Sequence, residues 1–206
     1  MGIYEKVAFF DGIAGKWDGW EDREGQALKF REGLLEFGVA PDERVLDVGC
    51  GTGNLTLAIA GCLSAKGRVT GIDISTAMVD VARSKTTDDR VEYVVGDIEK
   101  WPLKDQSFDR VICFSVWPHI ENPLSAARKI RAVLKPGGRM HIWHLISRQK
   151  VNEIHSTAGH AVYHDILFPA VEVAAILENA GFNVVDSIDD DARYLVTAVK
   201  DQVTRA

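Results

Sequence analysis

No apolar run in this chain approaches the ~18 residues that a membrane-crossing helix needs, and the N-terminus lacks the basic-then-apolar pattern of a secretory signal. A membrane partner is therefore not expected, and the cytoplasm is the expected compartment. Cysteine is scarce: Cys50, Cys62 and Cys113 stand far apart, with no Cys-x-x-Cys pair. That argues against a disulfide framework and fits a reducing compartment in which the thiols pack as small side chains. No run of Lys or Arg occurs and the net charge is −6, so the molecule as a whole offers no basic field for nucleic acid. Internal repeats and low-complexity tracts are also missing, which argues against a repeat architecture.

In bulk the chain is ordinary. Its 206 residues suffice for one domain with a full core, and 46% apolar with 26% charged residues are the proportions of a globular protein. The informative stretch runs from Val45 to Thr56. Val45 to Val48 is a short apolar strand with an acid, Asp47, near its end. Gly49, Gly51 and Gly53 follow at alternate positions, and Asn54 to Ala60 then has helical spacing. Glycine belongs where backbone takes positive φ or lies against a ligand with no Cβ in the way. The helix start adds unpaired N–H groups and the positive end of a dipole.

The dinucleotide fingerprint G-x-G-x-x-G shares this layout, but its third glycine would fall at position 54, which is Asn54. The spacing found, Asp-x-Gly-x-Gly-x-Gly, resembles motif I of class I S-adenosylmethionine-dependent methyltransferases. A methionine tail without phosphate suits a loop carrying an acid better than a phosphate cradle does. Gly67 to Ser75 reads as a second strand; Asp73 ends it, an acid placed to accept both ribose hydroxyls of an adenosine ligand, and Ser75 caps the next helix. Ile74 can flank the adenine ring, whereas Met78 reads first as core. Val91 to Ile98 is a third strand ending in Gly-Asp-Ile; in the family it resembles, the acid here (Asp97) meets the adenine amino group and the next apolar residue (Ile98) covers the ring. Phe108 to Val116 is a fourth strand, and the resemblance puts Ser115 and Trp117 where it opens beside the methyl group. His119, just beyond, reads first as structural.

A helix over Ala126 to Leu134 leads into Lys135-Pro136-Gly137-Gly138, similar to the family's turn before strand five, Arg139 to Ile146. A helix over Val171 to Gly181 and two last strands, Val184 to Ile188 and Tyr194 to Val199, complete the pattern. Strands alternating with helices imply a parallel sheet with right-handed crossovers. The expected fold is α/β: a Rossmann-like, seven-stranded, mostly parallel sheet with one antiparallel strand and helices on both faces. A single domain is expected, with residues 1–40 as a helical cap and 41–206 as the cofactor-binding core. Tyr4, Phe9, Phe10, Trp17 and Trp20 make the first segment aromatic-rich, either as core or as a cap over a substrate. Glu21 to Gly38 reads as a second helix with Leu28, Leu34, Leu35 and Phe37 on its apolar positions.

The expected activity is methyl transfer from S-adenosylmethionine to a small-molecule acceptor. The alternatives are a regulatory protein that binds S-adenosylmethionine without turnover and an NAD-dependent oxidoreductase. No residue is assigned as catalytic. Five histidines crowd into 24 positions from His141 to His164. Of these, His144, His155, His160 and His164 fall on the carboxyl side of the expected sheet, where ligands bind in such folds. Three readings stay open for them: loop residues with no role, substrate-binding or general-base groups, and a transition-metal site completed by an acid such as Asp165. Tyr163 is a further candidate base.

Overall fold

The computed structural model describes residues 2–20, 22–102 and 104–202. The chain divides into two compact units, Met1–Asp97 and Ile98–Ala206. Its seven strands form one mixed sheet in the order β3-β2-β1-β4-β5-β7-β6. The strands of the first unit are β1 (Arg44–Val48), β2 (Arg68–Asp73) and β3 (Val91–Val95); those of the second are β4 (Phe108–Phe114), β5 (Leu134–His144), β6 (Asn183–Asp189) and β7 (Tyr194–Val199). The pairs β1–β2, β2–β3 and β4–β5 are parallel, and β7 runs antiparallel to both of its neighbours. This is the expected mostly parallel sheet with one reversed strand. Val45 to Val48 and Arg110 to Cys113 are buried without alternation, as strands covered on both faces must be.

In the first unit, α1 (Ile3–Trp17) and α2 (Arg23–Glu36) precede β1, α3 (Asn54–Cys62) follows the glycine turn, and α4 (Thr76–Ser84) follows β2. Ser75 caps α4 as its sequence position implies, its hydroxyl accepting from the Met78 amide at 3.1 Å. Met78 lies in the core at 2% exposure. One expectation about the apolar faces, that for α2, needs correction. On α2, Phe30 and Leu34 are buried while Leu28 and Leu35 are exposed, because Phe30 and Leu34 are four apart and share a face. On α1 only Lys6 and Ala14 are buried; Phe9, Phe10 and Trp17 are half-buried and stack edge to face, and Trp20 is exposed.

In the second unit, α5 (Pro123–Val133) starts behind an Asn122 cap, with Pro123 in the first turn, where a missing N–H costs nothing. The Lys135–Gly138 stretch is not a turn ahead of β5 but an irregularity inside it: Phe108 pairs with Leu134 and Arg110 with Arg139. Glycine is required there, since Gly137 has φ +79° and a Cβ on Gly138 would meet the Lys135 carbonyl oxygen at 2.8 Å. After β5 come α6 (Arg148–Ala158), capped by Ser147, and α7 (Ala170–Asn179). None of the described helices is long and apolar enough to cross a membrane.

The Ser75 hydroxyl carries both the α4 cap and a hydrogen bond to Asp11 of α1 at 2.5 Å, in a side chain with no exposure. Replacing it by alanine is expected to destabilise the protein by roughly 1–2 kcal/mol, read as a lower urea midpoint at unchanged slope. An unchanged midpoint would mean that α1 does not depend on this contact.

Candidate functional site

The glycine turn between β1 and α3 is built from the backbone up. Gly49, Gly51 and Gly53 all adopt positive φ, at 69°, 51° and 84°, which a side chain would strain. The three glycines then differ in purpose. A Cβ on Gly53 would strike the Tyr93 hydroxyl at 2.4 Å, so this glycine lets β3 pack against the turn. A Cβ on Gly51 would meet nothing within 4 Å, so at Gly51 the bare backbone faces open space. The amides of Gly49 and Cys50 both donate to the Ile72 carbonyl, at 2.8 and 3.1 Å, fixing the turn to the end of β2.

Asp73 joins the two loops. One of its oxygens accepts from the Gly51 amide at 2.8 Å and the other from the Ser75 amide at 2.8 Å. Each carboxylate oxygen can accept two hydrogen bonds, so Asp73 is suited to shape the loops and to receive hydroxyls. Ile74 and Asp97 are half-buried, and Ile98 is buried at 6% exposure. Asp47 behaves differently from an acid presented to a ligand. It is buried, and its carboxyl accepts from the Thr56 hydroxyl in the first turn of α3 at 2.6 Å. Burial first, and then the charge of Asp73, push its pKa up to about 7.

Sequence reasoning missed the support that α1 gives this site. Asp18, at the C-cap of α1, accepts from the Thr52 hydroxyl at 2.6 Å and from the Asn54 amide nitrogen at 3.1 Å, and pairs with Lys85 at 2.5 Å. Lys85 also donates to the Asn54 side-chain oxygen at 2.9 Å. Burial opposes ionisation of Asp18, but the hydrogen bonds from Lys85, Thr52 and Asn54 prevail and hold its carboxyl below the ordinary value. Asp11 of α1 accepts from the Ser75 hydroxyl and, at 3.1 Å, from the Ala77 amide. Both loops that Asp73 joins are thus also held from α1.

In the second unit, β4 ends at an exposed residue with left-handed backbone, Ser115 (φ 51°), whose amide donates to the Trp143 carbonyl at 2.9 Å. A non-glycine residue held this way stores of order 1 kcal/mol of strain, a feature that clusters at functional positions. A short 3₁₀ turn, Trp117–His119, follows. His119 Nδ1 lies 2.7 Å from Asp165 Oδ2, and the His119 and His155 rings are 4.8 Å apart. His155 Nδ1 bonds to the backbone carbonyl of Asp165. His144, at the end of β5, is buried; burial and then the nearby His119 and His155 hold its pKa down to about 3, so it stays neutral. Its Nε2 has no hydrogen-bond partner.

The expected quartet His144, His155, His160 and His164 does not assemble into a metal centre. Among the described residues, no three His, Cys, Asp or Glu side chains are placed to hold one ion. His160 and His164 are exposed and sit beside each other at 6.5 Å, next to the exposed Tyr163, because the chain there is a surface turn after α6. The group that does form takes in His119, which local sequence read as structural, and an acid 46 positions away. His141 belongs to the core, buried between Arg110 (2.8 Å) and Thr197 (3.1 Å).

In open α/β sheets, a glycine turn after the first strand, tied to an acid at the end of the second, is the arrangement that receives adenosine-type ligands. Comparison with known proteins carries this further. The family described as "Methyltransferase domain" matches residues 46–142. The O-methyltransferase cnsE of Penicillium expansum is 35% identical over 182 residues, covering 82% of this chain and 65% of that protein. A demethylmenaquinone methyltransferase of Staphylococcus aureus is 38% identical over 106 residues, covering 51% of this chain and 44% of that protein. The chain therefore spans only part of these relatives, 65% of the first and 44% of the second. A solved S-adenosylmethionine-dependent methyltransferase from Aquifex aeolicus shares the fold, with TM-score 0.75, 24% identity, and coverage of 90% of this chain and 97% of that one. Over residues 46–142 the chain matches a methyltransferase domain, and it is similar to S-adenosylmethionine-dependent methyltransferases in sequence pattern and fold.

Two predictions follow from the electrostatics of the turn. With a raised pKa, folded Asp47 holds its proton more tightly than the unfolded chain, where the carboxyl ionises near ~3.9. Its contribution to stability is fully present below about pH 4 and is lost as pH rises through about 7. Asp47→Asn, which cannot ionise, should remove that loss, so that the variant gains roughly 2–4 kcal/mol relative to the parent between acid and mildly alkaline pH. Parallel urea-derived stability curves for the two proteins would refute the burial argument.

The second concerns Asp18. Asp18→Ala should lower stability by roughly 1–2 kcal/mol and speed hydrogen exchange at the Gly51 and Gly53 amides. Unchanged exchange there would show that the turn keeps its shape without α1.

Proposed function

We propose that this chain transfers the methyl group of S-adenosylmethionine to a small-molecule acceptor, working as a single methyltransferase domain. The observation that carries the reading is the turn at Gly51: bare backbone facing open space, its amide held by Asp73, in a family built on this cofactor. The residues fit the cofactor. Asp73 receives the ribose hydroxyls, Asp97 the adenine amino group, and Ile74 and Ile98 offer apolar cover for the ring. When bound, S-adenosylmethionine supplies a methyl group made electrophilic by its sulfonium charge. The contribution of the chain is to position the acceptor in line with that methyl group and to exclude water. Half-buried Asp73 adds negative potential beside the turn, which favours a cationic ligand over a phosphate. The names of the two relatives, an O-methyltransferase and a demethylmenaquinone methyltransferase, support a small-molecule acceptor.

Calorimetry tests the cofactor directly. S-adenosylmethionine and its demethylated product should both bind. Asp73→Ala should weaken binding by roughly 1.5–3 kcal/mol. Gly51→Val should abolish it, at a backbone strain of about 1–2 kcal/mol that circular dichroism will show the fold survives. Tight NAD binding without S-adenosylmethionine binding would overturn the assignment, and binding without methylated product in mass spectra would reduce it to a ligand sensor.

A further inference from the structure

We infer that the indole rings of Trp17 and Trp20 form the acceptor subsite of this protein, and that the acceptor it takes is a flat, unsaturated ring; this rests on the methyl-transfer reading above. The whole arrangement lies within the first unit. It begins in local backbone. At the end of α1 the Gly19 amide donates to the Lys16 carbonyl at 3.0 Å and the Trp20 amide to the Trp17 carbonyl at 3.2 Å. That turn brings Trp20 back onto Trp17, with ring centroids 6.2 Å apart and planes inclined at 57°. Phe10, seven residues earlier on α1, meets Trp17 at 6.5 Å and 67°, and Phe9 meets Phe10 at 5.3 Å and 78°. Aromatic pairs favour tilted contacts with centroids about 4.5–7 Å apart, so each ring sets the tilt of the next.

Burial shows that this corner is open. Phe10, Ala14 and Trp17 are spaced four and three apart, so they share one face of α1. If that face docked closely, the large rings would be covered as well as the alanine. Ala14 is 3% exposed, yet Phe10 and Trp17 stay half-buried and Trp20 is 61% exposed. Adjoining aromatic side chains left open to water mark a binding surface rather than a core.

Asp18 fixes where the corner sits. It lies in sequence between the two tryptophans, and its carboxylate accepts from Thr52 and Asn54, the residues on either side of Gly53. The corner is thereby pinned to the glycine turn that the methyl-transfer reading assigns to the cofactor. Lys85 pairs with Asp18 at 2.5 Å, so the pin brings no net charge to attract an ionic acceptor. A hydrated cation gains little from an exposed ring. A flat ring laid on an indole takes apolar area of both out of water and touches it across a whole face, whereas a puckered ring of the same size touches at fewer points.

The test uses naphthalene-1-carboxamide, which is flat, neutral and poorly nucleophilic, and its saturated decahydro counterpart. Both are offered to the full chain with S-adenosylmethionine or S-adenosylhomocysteine bound. Calorimetry should show the flat ring binding at least about fivefold more tightly than the saturated one. Trp20→Leu, at an exposed position where circular dichroism will show an unchanged fold, should weaken the flat ring by about 3–10-fold and remove its advantage. Trp17→Leu should act in the same direction, and Trp20→Phe should keep most of the affinity. A transferred nuclear Overhauser contact should join the S-methyl protons of S-adenosylmethionine to the ring protons in the parent protein and vanish in Trp20→Leu. Equal affinity for the two rings, or affinities that Trp20→Leu leaves unchanged, would overturn the proposal. Ring binding without the methyl contact would overturn the acceptor role. If Trp20→Leu loses affinity for S-adenosylmethionine but not for the uncharged S-adenosylhomocysteine, the corner holds the sulfonium and not an acceptor. Failure of the methyl-transfer reading itself is separable, because then the parent protein binds neither cofactor form in calorimetry.

Discussion

The hydrogen bond from the Gly51 amide to Asp73 is the contact on which the first unit's site depends. It fixes the turn after β1 to the end of β2, and those two loops are where an adenosine ligand is read in such sheets. Asp73 achieves this with both oxygens, since the second takes the Ser75 amide and so starts α4 at a defined place. Three alternating glycines supply the positive φ that the turn needs, and the ladder of β1 and β2 with these loop contacts holds its shape. The site's shape is a consequence of strand register, and a slip of one residue would turn Asp73 to the other face.

Acids do most of the structural work in this unit, and each does it differently because its surroundings differ. Asp47 is sealed from water and pushed toward its neutral form. Asp18 is ringed by donors and held ionised. Asp73 is half-buried and serves backbone amides. A net charge of −6 spread over the chain would say little about function; the placement of these carboxylates beneath one glycine turn says more.

The second unit repeats the principle with imidazoles. Asp165 uses its carboxylate on His119 and its carbonyl on His155, so one residue sets the tautomers of two rings. His144 lies within their electrostatic reach and is kept neutral mainly by burial. His160 and His164, four residues apart on an exposed turn, lack any such enclosure. Histidine density along the chain is therefore a poor guide to chemistry; enclosure and an orienting partner distinguish the groups.

The sequence by itself determined the sheet, the glycine turn, the Ser75 cap and the acid at the end of β2. These are local signals, carried by residues within a few positions of one another, where alternating glycines and strand-ending acids leave few backbone solutions. It did not determine that α1 holds the turn through Asp18, because Thr52 and Asn54 are 34 and 36 positions away and no local pattern records such a contact. It read His119 as structural, since its partner Asp165 is 46 positions on, in the segment between α6 and α7. It placed Asp47 among ligand contacts, while the structure turns it into a buried group bonded to Thr56, because the residue before the last of a central strand is covered on both faces. Side-chain partnerships between distant elements are settled by packing, and packing exists only once the chain has folded.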